Sequence, residues 1–519
     1  MSGTVTFSPP DLLQKALLGF AMACLPAISQ IARGGEPVDI ADRNQIFIDG
    51  RYIEKGKSVR IVVQRPRKTG ERNLVSGIYR AVPEHPLELR DGPDLWVYAQ
   101  ILENDGTFRG FGFVSEDGIK WQVATEALLE AGNFAYGLRT GSGTVFTDPR
   151  APASQRYKIV SGLPDEVLAS ADGREWQVIH KGVFPGEFSF PRGMDSQNVA
   201  FYEESLDKYV AFVRVNKWVK PPPRHEAYFA KSLFHQGHNH LRCVGRLTSD
   251  DLRRFEDPQI VLAPDEQDPT MDGVPVADFY MPQVLRYPHA QDAYVMFPNR
   301  YLHYQDWFIA DDLSGFHTGR GTDVLNVGPI DIGFAASRDG IQWEQFDREP
   351  LIPLGLTGEF DDRGLYPVRG LVVHGDEMWL YYLGAPEHYL PEDGHEFRIV
   401  MSRVVFRRDG FTAVEAEYSG GEFTTPVLRF SGNALNLNIE TSALGLARVE
   451  IQDDTGKPIP GFSLDECDRI HTANSVNRIV KWRKGTTDIS SLAGQPVRFR
   501  FELKFGAKLY AFRTAASSG

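Results

Sequence analysis

The chain has 519 residues, with 56 Lys+Arg against 69 Asp+Glu for a formal net charge of −13, and 42% hydrophobic and 12% aromatic residues. Phosphate recognition needs Lys and Arg concentrated on one face, and the longest basic run is Arg65-Pro66-Arg67-Lys68, so a nucleic-acid partner is excluded. Three scattered cysteines, Cys24, Cys243 and Cys467, exclude a disulfide scaffold, and no apolar run reaches the roughly 18 residues of a membrane-spanning helix.

In chain order, Pro9-Pro10-Asp11 is a helix start signal. A short helix packing Leu12, Leu13, Ala16, Leu17 and Phe20 on the protein body is expected within an N-terminal segment, residues 1–40. The apolar run 16–25 behind Lys15 also has the form of a signal-peptide core, which leaves location open between cytoplasm and export. Residues 45–53 and 59–64 read as strands, expected to seal the last sheet of a closed array.

That array is announced by a repeat. Ser115-Glu116-Asp117-Gly118-Ile119-Lys120-Trp121 returns as Ser170-Ala171-Asp172-Gly173-Arg174-Glu175-Trp176 and as Ser337-Arg338-Asp339-Gly340-Ile341-Gln342-Trp343. Degenerate copies are Thr248-Ser249-Asp250-Asp251-Leu252-Arg253-Arg254-Phe255 and Phe406-Arg407-Arg408-Asp409-Gly410-Phe411. Asp-Gly supplies the positive φ of a tight hairpin turn, and the Trp or Phe fills the space between adjacent sheets. Strand-like pairs precede the copies at 143–146 and 156–160, 198–202 and 208–214, 282–286 and 293–298, and 368–373 and 378–384. Four strands per unit, five times over, is the arithmetic of a five-bladed β-propeller, expected over residues 41–416. Residues 125–131 are the one other helix candidate.

After Ala416 the linker Ser419-Gly420-Gly421 leads to alternating runs at 427–430, 435–439, 447–451, 478–482, 497–503 and 509–512. With the turns Gly456-Lys457-Pro458 and Pro460-Gly461 they suit a β-sandwich over residues 422–514. The expected fold is all-β, a five-bladed β-propeller followed by a C-terminal β-sandwich, with a short N-terminal helical segment. A single sandwich is the alternative.

Five units, three with a full Ser-x-Asp-Gly-x-x-Trp hairpin and two with a degenerate copy, followed by a sandwich resemble glycoside hydrolases of family 32 and the related propeller families 43 and 68, and within them a divergent bacterial family-32-like group. The resemblance implies a glycosidase. It is architectural: the Trp-Met-Asn-Asp-Pro-Asn-Gly and Arg-Asp-Pro boxes of the invertase-like enzymes are absent and no Glu-Cys pair falls within residues 41–416, with Phe47-Ile48-Asp49-Gly50 and Thr147-Asp148-Pro149 the nearest echoes. Fructan specificity therefore does not transfer.

Glycoside hydrolysis needs two carboxyls flanking the scissile bond. In a propeller, residues at the start of each inner strand gather at one mouth. Acids at that position are Glu88 (with Asp91), Asp195, Asp278 and, in the fifth unit, Glu359, Asp361 and Asp362. Asp195 and Asp278 are the preferred catalytic pair, with Glu88 and Asp361 as competing or modulating acids; a capping Asp is the competing reading for each. Arg192, Arg214, Tyr280, His303, Arg363, Arg369 and His388 are the expected substrate-binding residues, the cations suited to a polar or anionic sugar or to salt bridges with the acids. Tyr301, Tyr304, Trp307 and Phe308 offer stacking faces or blade packing. Asp148, after its strand, reads as a solvated Asp-Pro turn, and Asp117, Asp172 and Asp339 as structural.

His235-Gln236-Gly237-His238-Asn239-His240 lies in an insertion after Pro221-Pro222-Pro223 and reads as a substrate-covering loop, so no metal and no cofactor is expected. No phosphate-binding Gly-rich loop, Gly-x-Ser-x-Gly elbow or nucleotide fingerprint occurs. The functional expectation is a glycoside hydrolase acting on a carbohydrate substrate. The alternatives are a non-catalytic carbohydrate-binding propeller and a glycoside phosphorylase; homo-oligomerisation stays open.

Overall fold

The structure is a computed structural model. It describes residues 36–74, 102–104, 107–110, 113–115, 117–120, 122–123, 143–162, 164–171, 176–186, 194, 198–219, 239–268, 270–271, 274–275, 277–290, 292–302, 329–385 and 400–515. Over them the protein is all-β, with helical turns confined to short 3-10 segments such as Gly50–Tyr52. The expected helices at 9–25 and 125–131 lie outside the described residues. Among the described residues no helix is long and apolar enough to cross a membrane.

Three successive antiparallel meanders each contain four strands. The first runs Leu102–Asn104, Thr107–Gly110, Phe113–Ser115 and Gln122–Val123. The second runs Val145–Thr147, Tyr157–Gly162, Asp165–Ser170 and Gln177–Lys181. The third runs Val199–Glu203, Lys208–Val219, Asn239–Ser249 and Gln259–Leu262. In a fourth unit Ala277–Phe279 pairs with Asn299–Leu302 and Val284–Arg286 with Tyr294–Met296. Ile330–Ile332 and Ala335–Ser337 follow outside them. In a fifth, Gly364–Pro367 and Val372–His374 pair with Glu377–Ala385, and that strand with Val400–Arg407.

The outer edge of the fifth unit is covered by Arg67–Lys68 and Asn73–Leu74. Residues 45–53 and 59–64 do not perform this closure, contrary to expectation: Val59–Val63 pairs with Thr412–Ala416, and Gln45–Ile46 with Lys508–Ala515. An alternating strand can satisfy either sheet, and the partner is chosen by contacts far along the chain.

The repeated hairpins share one turn chemistry. Asp117 Oδ1 accepts from the amides of Ile119 (2.8 Å) and Lys120 (2.9 Å), and Asp339 Oδ1 from those of Ile341 and Gln342 (both 2.8 Å). Gly118 and Gly340 follow at φ of 67° and 71°, a region open to glycine without a Cβ penalty. The degenerate third copy keeps the geometry with Leu252 at φ 65°, its amide donating to Ser249 Oγ at 3.0 Å as that of Gly340 does to Ser337 Oγ at 2.9 Å. In the last copy the positive φ falls on Asp409 (58°), one residue before its Gly.

Many described strands of the second to fifth units are buried on both faces, and neighbouring units share cores. The second and third units share a core containing Phe146, Val160, Val213 and Phe255. The third and fourth share Phe212, Val244, Phe279 and Met296, with Trp343 edge-on to Phe212 at 5.9 Å. Phe297, Ile332, Leu365 and Leu380 join the fourth to the fifth. The fifth reaches the first through Tyr381 Oη, which donates to the Gly118 carbonyl at 2.7 Å, and Asn73 Nδ2, which donates to that of Ile119 at 3.0 Å.

Ala277–Phe279, Asn299–Leu302 and Ile330–Ile332 join the fifth unit in one nine-stranded sheet through the parallel pair Ile330 and Gly364, and two further sheets are formed largely by C-terminal residues. A seven-stranded sheet contains Val497–Lys504, Gly421–Thr424, Leu428–Phe430, Leu446–Asp453 and Ile470–His471 with the N-terminal strands Val38–Ala41 and Lys55–Lys57. A six-stranded sheet contains Ala434–Glu440, Lys508–Ala515, Asn474–Ile479 and Thr412–Ala416 with Gln45–Ile46 and Val59–Val63. Both contribute to one core around Phe47, Phe423, Leu437, Trp482, Phe501 and Phe512. Val497–Lys504 alternates buried and half-buried residues throughout, the period of a strand with one face in a core.

Candidate functional site

Of the expected site residues, Asp278, Asp361, Arg214, Tyr280, Arg363 and Arg369 are described. Glu88, Asp195, Arg192, His303 and His388 lie outside the described residues, as do Tyr304, Trp307, Phe308 and the His235–His238 part of the insertion.

Asp278 is the middle residue of the strand Ala277–Phe279 in the fourth unit, its side chain fully buried. Its Oδ2 accepts from both the backbone amide and Nη1 of Arg242, each at 3.2 Å. Arg242 comes from the start of the third strand of the preceding unit and is 9% exposed at its side chain. Its guanidinium lies 5.1 Å from the Tyr280 ring and 5.3 Å from that of Tyr301, and the two rings meet edge to face at 5.9 Å. Burial of a carboxylate is tolerated when a hydrogen-bonded cation accompanies it, and the ring faces favour that cation further. Burial pushes the neighbouring Cys243 thiol up to about 12, with the Asp278 charge adding to the effect, so it is a neutral packing group and no nucleophile.

Asp361 is equally buried but held elsewhere. Its Oδ2 accepts from Lys68 Nζ at 2.7 Å and from Tyr382 Oη at 2.9 Å. Burial and the Asp361 charge both push the Tyr382 hydroxyl upward. Lys68 belongs to the strand closing the fifth unit. The two described acids therefore sit in separate ion pairs, one joining the third and fourth units and one pinning the closure.

The remaining described residues are dispersed. Arg369 Nη1 donates to the Val284 carbonyl at 3.1 Å, tying the fifth unit to the strand Val284–Arg286 of the fourth, and burial lowers its guanidinium to about 10. The Arg363 carbonyl accepts from the Ile330 amide at 3.0 Å, and that of the buried Arg214 from the Met194 amide at 3.0 Å.

Asp148 is not solvated, as its Asp-Pro turn suggested. It is 3% exposed, and its carboxylate accepts from Tyr209 Oη at 3.0 Å and lies 3.5 Å from Lys158 Nζ. The turn itself is present, with Oδ1 accepting from the Arg150 amide at 3.0 Å; Tyr209 arrives from the neighbouring unit and buries it. Asp49, in the other motif echo, caps a 3-10 turn and pairs with Arg338 Nε at 3.0 Å.

A cavity of about 270 Å³ lies beside the same inner strand, lined by Asp268, Asp278, Arg300, Asp331, Arg348 and Leu354 among others. Arg300 Nε and Nη2 grip Asp331, both at 2.7 Å, and Arg348 reaches Asp268 at 2.9 Å and Asp265 at 2.7 Å. Sequence reasoning missed these residues and Arg242. Arg242 interrupts the run Leu241-Arg242-Cys243-Val244, and a charge inside a buried strand was the available signal. Among the described residues no three His, Cys, Asp or Glu side chains gather so as to hold a metal ion.

The chain matches no protein-family model and no curated protein. Solved structures similar to it include an N-acetylgalactosamine deacetylase from F. plautii in complex with blood group B trisaccharide, at 14% identity and a TM-score of 0.34, covering 72% of this chain and 94% of that one. A family 43 arabinoxylan arabinofuranohydrolase from Bacillus subtilis gives 9% identity and 0.29, covering 80% and 95%. A β-1,2-mannobiose phosphorylase from Listeria innocua gives 12% and 0.32, covering 73% and 92%. Scores this low carry no argument about this chain's fold or activity.

Proposed function

We propose that the protein is a glycoside hydrolase whose five antiparallel units are the blades of a propeller, with the two C-terminal sheets as an accessory β-sandwich that also recruits residues 38–63. Asp278 is one catalytic carboxylate and Asp195, ahead of the third unit's inner strand, the other. The supporting observation is the buried Asp278 in the strand Ala277–Phe279, paired with Arg242, whose guanidinium lies over Tyr280 and Tyr301.

In such a reaction one carboxyl protonates the departing glycosidic oxygen, and a second attacks the sugar or activates water. A carboxylate bound to a guanidinium is suited to the nucleophile or base role, because the cation favours its charged form. Asp195 is then the proton donor. Asp361, already committed to Lys68 and Tyr382, acts as a modulating acid at most, and Glu88 is the competing donor. Arg192, Arg214, Arg363, His303 and His388 are assigned to substrate hydroxyls around the mouth, and Arg369, bound to the Val284 carbonyl, to holding the fourth and fifth units together.

The test is a screen of aryl glycosides and natural oligosaccharides, with and without inorganic phosphate, using wild type, Asp195→Asn and Asp278→Asn. Phosphate-independent release of reducing sugar by wild type supports hydrolysis. Saturable binding without turnover indicates a lectin, and turnover that requires phosphate indicates a phosphorylase; either overturns the proposal.

A further inference from the structure

We propose that the cavity beside Arg300 and Arg348 is a second carbohydrate site, binding one neutral sugar residue independently of the chemistry at Asp278. Strand register separates the two places. Asp278 lies opposite Tyr301, whereas Ala277 lies opposite Leu302 and Phe279 opposite Arg300; Arg300 in turn lies opposite Asp331. Directly paired residues share a face and successive residues alternate. Asp278 borders the cavity, but its carboxylate, turned to Arg242, is on one face of this sheet, while Arg300, Leu302 and Asp331 line the cavity from the other.

The charge pattern selects the ligand. Three carboxylates, Asp265, Asp268 and Asp331, answer two guanidiniums, and both guanidiniums are already ion-paired. An anion would meet an excess of negative charge, and a cation would find no unpaired carboxylate. Acceptor capacity nevertheless remains. Each Asp331 oxygen takes one bond from Arg300. Asp268 Oδ2 takes those from Arg348 and the Asp265 amide, while among the described residues its Oδ1 takes none. A carboxylate offers about four lone-pair positions, so hydroxyl donors can be bound without disturbing the ion pairs.

Leu302, Pro329 and Leu354, all half-buried, supply apolar walls. Carboxylate acceptors, guanidinium edges and an apolar wall around about 270 Å³ suit the hydroxyls and C–H face of a single sugar ring.

The experiment titrates the full chain with glucose, galactose, mannose, xylose, arabinose and fructose, and with glucuronate and inorganic phosphate, by calorimetry and ligand-observed NMR. At least one neutral sugar is expected to bind saturably in wild type and equally in Asp278→Asn. Leu302→Trp, which fills the cavity, and Asp268→Asn are expected to weaken it at least tenfold, the second variant serving if the first does not fold. Absence of binding by every neutral sugar, tighter binding of glucuronate or phosphate, or loss in Asp278→Asn with retention in Leu302→Trp or Asp268→Asn overturns the proposal. Loss of turnover in Asp278→Asn with binding retained keeps this site distinct from the catalytic reading.

Discussion

Gly355 offers a sharp test of how the fifth unit is closed. It does not sit at positive φ, yet a Cβ there would lie 2.0 Å from Asp361 Oδ1 and 2.9 Å from Glu359 Oε2. Asp361 cannot yield freely, because its other oxygen is bound at 2.7 Å by Lys68 and at 2.9 Å by Tyr382, and its carbonyl accepts from the Gly355 amide at 2.9 Å. Gly355→Ala therefore forces out a 1% exposed carboxylate. Each hydrogen bond to a charged group is worth about 1.5–3 kcal/mol. Lys68 is 28% exposed, so solvent screens its share. Alanine returns up to about 1 kcal/mol by restricting the unfolded chain, which leaves a net loss of about 2–3 kcal/mol.

The assay is urea denaturation followed by Trp fluorescence, run as a double-mutant cycle with Asp361→Ala. In the Asp361→Ala background the added methyl is expected to cost less than about 0.5 kcal/mol, because the group it strikes is gone. Hydrogen exchange at Val404 and Val405, which pair with Lys68 and Arg67, should quicken in Gly355→Ala alone. Equal cost in both backgrounds would refute the reasoning.

Leu252 combines φ 65° with 2% exposure. Removing the side chain costs about 2–4 kcal/mol, and glycine recovers about 1 kcal/mol of left-handed strain that alanine keeps. Leu252→Gly should therefore be less damaging than Leu252→Ala in thermal melts, the reverse of the ordinary order; alanine proving the milder change contradicts the turn assignment. Burial raises the Asp409 carboxyl, while the bond from Tyr287 partly opposes the shift. A raised acid gives stability at low pH that is lost as pH climbs through its folded value. Asp409→Asn, which can still accept from Tyr287, should match wild type at and below about pH 4 and exceed it by a margin that grows, by at most about 1.4 kcal/mol per pH unit, until the folded carboxyl has ionised. A gain already full at pH 4, or one that shrinks as pH rises, counts against this.

What could be read from the residues was local. Asp117 and Asp339 cap their own turns, so the hairpins announced themselves even where Leu252 replaced glycine. Asp278 and Asp361 were legible as acids beside strand-like runs, and the structure puts Asp278 within Ala277–Phe279 and Asp361 ahead of Gly364–Pro367. Their partners were not: Arg242 lies 36 positions from Asp278, and Lys68 lies 293 from Asp361. The closing strand was misplaced for the same reason, since the alternation in residues 59–64 fits an outer strand as well as it fits the six-stranded sheet that takes Val59–Val63. Asp148 shows the limit within one motif: its cap was local, and its burial came from Tyr209 in another unit.

The most direct measurement is the turnover number of Asp278→Asn on whichever glycoside wild type cleaves, taken beside its melting temperature. The account predicts a fall of at least about a thousandfold with folding preserved, as expected when a carboxylate that acts in the transition state is lost. Wild-type turnover in a folded Asp278→Asn protein would contradict it.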